Sequence, residues 1–142
     1  MFSDSVIDPA TIRAFRETEY RVDGDAPLAL KVGTVSSALA EMHKAHRVTC
    51  SAYITACNPY SKTFEEKANA DRQIALAEDL RSRSLVFING TGQHPSNKWP
   101  GEASFLVMGL SLEEAKALGS KHEQNGIVWC GSDAVPQLIL LR

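Results

Sequence analysis

After residue 48 the chain alternates between two kinds of apolar pattern, and this alternation limits what it can fold into. Short apolar runs at 49–57 (TCSAYITAC), 85–88 (LVFI), 105–110 (FLVMGL) and 127–130 are separated, at 64–81 and 111–125, by segments whose apolar residues recur at helical spacing. The runs have strand length and the intervening segments helix length, so the order is strand, helix, strand, strand, helix, strand. That order resembles a split βαβ, ferredoxin-like arrangement. A further strand is expected at 137–141, behind the turn GSDAVP. Ahead of the core, Asp8-Pro9 signals a short helix, with aspartate as cap and proline at the first helical position. A hairpin at 20–22 and 28–32 follows around DGDAP. The expected fold class is α/β of the α+β kind: a single domain over 1–142 with a mixed β-sheet, helices packed on it, and a βαββαβ-like core preceded by the helix and hairpin.

Local signals set finer expectations. Thr34 is placed to cap the second helix, whose inward stripe reads Val35, Ala38, Leu39, Met42 and His46, leaving His43 in solvent. At 100° per residue, Ala70, Ile74, Leu76, Ala77 and Leu80 fill the inward arc of the third helix, with Asn69 inside it. Ser111 and Glu114 form an S-x-x-E capping box, and Gly126 is expected to stop the helix it opens.

At 142 residues and 44% hydrophobic content, the chain has enough apolar surface for one real core. Fifteen basic against 17 acidic residues give a net charge of −2, which is no footprint for a phosphate backbone, so nucleic acid is not the expected partner. No apolar run approaches the roughly 20 residues of a membrane helix, and the N-terminus lacks a signal-peptide plan. A soluble, cytoplasmic protein is expected. Three cysteines without C-x-x-C spacing point to reduced thiols, not to a disulfide scaffold or zinc site, and no pattern names a metal or cofactor.

The chemistry concentrates in residues 89–104, NGTGQHPSNKWPGEAS, read as a long loop held between two strands. Loops of that length are disproportionately functional. Glu102 stands at the mouth of an apolar strand, where desolvation can raise a carboxyl pKa and fit it for acid–base work. The competing role is a structural carboxylate bonded to its own loop. His94 is a candidate general base, though a loop imidazole before proline is more often idle. Gly90-x-Gly92 is a weak phosphate-cradle fragment, lacking the third glycine and the P-loop lysine. Trp99 either stacks on a ligand ring or plugs the loop to the core, and the plug is the stronger reading. A second polar cluster, TACNPYS at 55–61, ends a strand and presents Asn58 at its C-terminal edge, where ligands of α/β sheets usually sit. Asn69 needs hydrogen-bond partners, either a ligand or the 58–63 loop. Cys57 most reasonably fills core and is no nucleophile.

These residues together resemble the DUF3293 family of small bacterial and phage proteins of unknown function. The resemblance rests on I-T-A-C-N-P-x-S at 54–61, Asn69 with Arg72, the glycines at 90 and 92, W-P-G-E-A-S-F-L-V at 99–107 and H-E-Q-N-G-I-V-W at 122–129, and it spans roughly 20–129. It implies no activity, but it marks Asn58, Pro59, Ser61, Asn69, Trp99, Glu102, Ser104 and Gln124 as positions that matter. Cys57 stands where the family pattern has an aromatic residue, which speaks against shared cysteine chemistry.

The leading expectation is a polar small-molecule site, open to a nucleotide-like ligand, in which Asn58, Asn69, Glu102 and Gln124 converge, with Ser61, Trp99 and Ser104 as ligand contacts and Glu102 and His94 as catalytic groups. Hydrolysis or group transfer ranks ahead of redox chemistry. The alternative is a non-enzymatic binding or regulatory module whose 89–104 loop meets a protein partner.

Overall fold

The computed structural model describes residues 5–142. In chain order the elements are α1 (Pro9–Glu17), β1 (Glu19–Val22), β2 (Leu28–Leu30), α2 (Ser37–Ala45), β3 (Ser51–Ile54), a 3-10 turn (Pro59–Ser61), α3 (Glu66–Ser82), β4 (Phe87–Gln93), β5 (Glu102–Met108), α4 (Leu112–Lys121), β6 (Gly126–Cys130) and β7 (Pro136–Leu140). They form a single α+β domain around one seven-stranded sheet of order β2-β1-β4-β5-β3-β6-β7, curled into a half-barrel.

The inner order β4-β5-β3-β6 is that of a split βαβ pair, so the expected βαββαβ core is present. The pairing sense differs from the mixed sheet expected, because every neighbouring pair is antiparallel. The reason is topological. Each crossover helix skips one strand, so β3 and β4, which run the same way, are separated by β5. The N-terminal hairpin continues the sheet beyond β4, and β7 continues it beyond β6.

Strand alternation gives each face its own core. Ala52, Ile54, Phe105, Val107 and Ile127 meet Leu76 and Leu80 of α3 and Ala115 and Leu118 of α4. On the other face Tyr20, Val22, Tyr53, Leu106 and Val128 meet Leu39 of α2. The far end of this second face is hollow, and α1, none of whose residues is fully buried, lies along the hollow.

The local signals hold where side chain and backbone are close in sequence. Asp8 accepts from Ala10 N, with Pro9 at the first position of α1, and the Ser111/Glu114 box is complete. Elsewhere the structure corrects the reading. Ser36, not Thr34, caps α2, accepting from Leu39 N at 3.1 Å. The buried line is therefore Leu39 and His43, while Val35, Ala38 and His46 are exposed. His43 shares the interior with Ser51, whose hydroxyl lies 2.7 Å from Nε2. In α3 the buried face is Gln73, Leu76, Ala77 and Leu80, and Ile74 is 57% exposed. Glu123, at φ 61, closes the turn after α4, and Gly126 already belongs to β6.

The largest correction concerns 89–104. β4 runs to Gln93 and β5 begins at Glu102, so only 94–101 is loop. Gly90 and Gly92 are strand residues paired with β1, not a phosphate cradle. Gly90 is glycine for close approach: a Cβ there would collide with Arg21 O and lie 2.8 Å from the Tyr53 hydroxyl, which donates to that same carbonyl at 2.7 Å.

Candidate functional site

The hollow is a cavity of about 1200 Å³. Its floor is sheet, including Tyr53, Ser104 and Val128, and α1 contributes Ala14 and Phe15 to its wall. Three large apolar side chains in its lining, Phe64, Ile74 and Trp99, are 39%, 57% and 52% exposed and so mark its rim.

Beyond β3 the chain keeps to the edge of β5. Thr55 Oγ1 donates to Ala103 O at 2.6 Å, and Arg72 holds the next residue by donating from Nε to Ala56 O at 2.7 Å. Arg72 also donates from Nη2 to His122 O at 2.9 Å, which ties α3 to the turn after α4. From that turn Gln124 Nε2 donates to Cys57 O at 3.1 Å. The segment thus clamped ends at Asn58, whose backbone is left-handed (φ 48, ψ 64), a conformation that asparagine tolerates better than most residues.

Asn58 is the centre of the polar network. Its Oδ1 accepts from Asn69 Nδ2 and from Phe64 N, both at 2.9 Å, and its backbone N–H donates to Asn69 Oδ1 at 2.8 Å. With Oδ1 thus committed as an acceptor, Nδ2 donates to Glu102 Oε2 at 2.9 Å. Asn69 therefore pins the 58–63 loop, and both amides line the cavity. Glu102 thus accepts from a residue outside its own loop. Ser104 sits one strand repeat away, with Oγ donating to Glu102 O at 3.0 Å.

Glu102 is surrounded by protein except where it opens on the cavity. Burial raises its pKa above the ordinary carboxyl value of 4.5, opposed by the Asn58 hydrogen bond. Among the described residues no cation pairs with it and Oε1 has no hydrogen-bond partner. The result is a carboxyl group able to hold a proton nearer neutrality, with one oxygen free to meet a ligand.

The remaining candidates fall into place around it. Ser61 and Gln124 line the cavity, and Ser61 Oγ accepts from Asn125 Nδ2 at 2.9 Å. Trp99 does not plug the core. It stands half-exposed at the rim with the His94 ring edge-on at 4.6 Å. His94 is anchored: Nε2 is 3.2 Å from Glu17 Oε1 and Nδ1 is 2.8 Å from Ser96 Oγ, so it fastens the 94–101 loop to α1. Cys57 is buried, and that burial raises its thiol pKa, opposed by the Thr55 hydroxyl and assisted by the Glu102 charge, which keeps the sulfur protonated. All three cysteines are free. Among the described residues no three His, Cys, Asp or Glu side chains gather to hold a metal ion.

Gln73, Tyr20 and Tyr53 also line the cavity, beyond the residues expected from the sequence. Gln73 had a usable signal: it lies one helical repeat after Asn69 on the face continued by Leu76 and Leu80. The tyrosines had none, since only the strand register brings β1 and β3 under the same hollow.

The model of one family, DUF3293, a protein of unknown function, matches residues 54–127. That stretch contains Asn58, Asn69, Glu102 and Gln124. No curated protein and no solved structure matches the chain significantly.

Proposed function

The chain belongs to the DUF3293 family, whose function is unknown, and we propose that the matched segment builds an enzymatic small-molecule site with Glu102 as its acid or base. One observation carries the reading: a largely enclosed carboxyl group, without a cationic partner among the described residues, opens on a cavity of about 1200 Å³. Burying such a group is unfavourable, and proteins keep perturbed carboxyls where chemistry uses them. Asn58 orients Glu102 and is itself held by Asn69, so the carboxyl keeps one geometry through proton gain and loss. In a hydrolysis or group transfer, the protonated carboxyl would give its proton to the leaving atom and the carboxylate would take one from the incoming nucleophile. Gln124, Ser61 and Ser104 line the space the ligand would occupy, and Trp99 offers a ring at its mouth.

A second reading draws on the rim. Phe64, Ile74 and Trp99 are exposed together around one opening, as at a surface that receives a protein segment.

A thermal-shift screen of nucleotides, sugar phosphates, amines and divalent metals against the wild type and Glu102→Gln separates the two. A ligand at about 100 times its dissociation constant adds roughly 2.7 kcal/mol. A shift that the variant abolishes supports the small-molecule site. Absence of any shift, with a correctly folded variant, sinks it in favour of the protein partner.

A further inference from the structure

The lining of the cavity has a one-sided charge. Glu66 and Glu102 are its acidic members, and among the described residues no lysine or arginine belongs to it. Arg72, whose charge reaches Cys57, is committed to the carbonyls of Ala56 and His122 and to Glu123. His94 is turned to Glu17, 3.2 Å from its Oε1. Five aromatic rings complete the lining: Phe15, Tyr20, Tyr53, Phe64 and Trp99. A phosphate placed here would meet two carboxylates and no counter-charge. A positively charged nitrogen would meet a hydrogen-bond acceptor at Glu102 and the electron-rich faces of the rings.

Gln73 adds an independent observation. It is 8% exposed, and Ala56 N donates to its Oε1 at 2.9 Å, which fixes the other end of the amide as the N–H donor. That Nε2 has no partner among the described residues; the side chain belongs to the cavity wall but the nitrogen itself is buried, so an acceptor reaches it only as the amide turns towards the cavity. An unpaired buried donor is unfavourable, and the penalty is relieved when an acceptor reaches it.

We propose that the ligand is an organic cation: a protonated amine or amidine on an aromatic or apolar body, with a neutral acceptor elsewhere on the molecule and no phosphate. The cationic nitrogen pairs with Glu102, the body lies among the rings, and the acceptor serves Gln73. This assignment rests on the small-molecule reading of the cavity and narrows its substrate class.

The test uses the full-length protein and probes that share one body and differ in the group offered to Glu102: 4-methoxybenzylamine, 4-methoxybenzyl alcohol and 4-methoxybenzoate, with AMP as a phosphate probe. Calorimetric titration of the wild type should rank the amine on the order of tenfold or more above the alcohol, with no binding by the benzoate or AMP, as expected for one charge-assisted hydrogen bond. In Glu102→Gln the advantage of the amine should disappear while the alcohol is unaffected. Gln73→Leu, chosen because it leaves Glu102 intact, should weaken amine and alcohol alike. Benzoate or AMP binding to the wild type as tightly as the amine would overturn the charge class while leaving a small-molecule site standing. Failure of every probe in the wild type would overturn the small-molecule site and this assignment with it.

Discussion

Asn58 Nδ2 donates to Glu102 Oε2 over 2.9 Å, and among the described residues this amide is the carboxylate's one side-chain partner. A neutral donor lowers a carboxyl pKa less than a guanidinium would, so burial wins and the net shift is upward. The relationship joins two segments that are far apart in sequence, the end of the 55–58 stretch and the first residue of β5, and it governs how the protein should respond to pH.

The first prediction is that Glu102→Gln is as stable as the wild type or more stable at neutral pH. The folded pKa of Glu102 lies above the unfolded value of 4.5, so the fold binds the proton more tightly than the unfolded chain does. Its contribution is most favourable below 4.5 and is lost as pH rises through the folded pKa. Urea denaturation across pH 4–8 should show the variant's relative advantage growing towards neutrality and levelling off. A variant less stable at pH 7 than at pH 4, relative to wild type, would show that the carboxylate stabilises the fold.

His43 should act in the opposite sense. Burial lowers its pKa below 6.5, and its ring sits 2.7 Å from Ser51 Oγ with Cys130 also close to that hydroxyl. The neutral ring is the folded form, so its contribution is present above pH 6.5 and is lost as pH falls through the lower folded value. His43→Gln should therefore flatten the acid limb of the wild-type stability curve below pH 6.5. An unchanged limb would place the acid sensitivity elsewhere.

Gly90→Ala should cost about 3 kcal/mol, from forced displacement of packed atoms together with loss of the Tyr53–Arg21 hydrogen bond. The added methyl would collide with Arg21 O and the Tyr53 hydroxyl. Gly92→Ala is the control: its Cβ would meet nothing nearer than 3.7 Å. The two variants, matched in chemistry and two residues apart on one strand, should differ in midpoint temperature by many degrees. Equal losses would mean that the strand tolerates no side chain at either place and that close approach is not the reason for Gly90.

The contrast between these glycines shows what the sequence can express. Caps are written within three residues, so Asp8, Ser111 and Glu114 could be read directly, and the order of strands and helices after residue 48 carried the ferredoxin-like core. Glycines inside a strand look like loop residues when taken alone, so 89–93 reads as loop although 90–93 pairs with β1 as sheet. The α2 stripe misled because Val35 and Ala38 are apolar but precede or flank the true cap at Ser36, whereas His43 is a polar residue that the interior accepts through Ser51. Asn58 and Glu102 can be singled out because they flank apolar runs, and Asn69 because it falls within the inward arc of its helix, where a polar side chain needs partners. That Asn58 and Asn69 serve each other, and that the walls are acidic and aromatic, depends on which strands the curl of the sheet brings together.

Asn58→Asp gives the sharpest test of the central pair. The substitution keeps the side-chain oxygen that accepts from Phe64 N and Asn69 Nδ2, and aspartate also tolerates the left-handed backbone at this position. What changes is the donor: where Nδ2 met Glu102 Oε2 at 2.9 Å, two carboxyl oxygens would face each other. Both cannot ionise at that distance, so the pair holds one proton well above the ordinary carboxyl range and titrates as a unit. Since the fold now binds that proton more tightly than the unfolded chain, stability must rise as pH falls. The variant should lose about 1–3 kcal/mol at pH 7, the cost of a broken buried hydrogen bond, and recover most of it near pH 5 as the shared proton bridges the oxygens. Asn58→Ala, which cannot form the bridge, should lose stability at both pH values. Identical losses for the two variants across the range would mean that the amide matters only for holding Phe64 and Asn69, and that Glu102 is positioned by something other than Asn58.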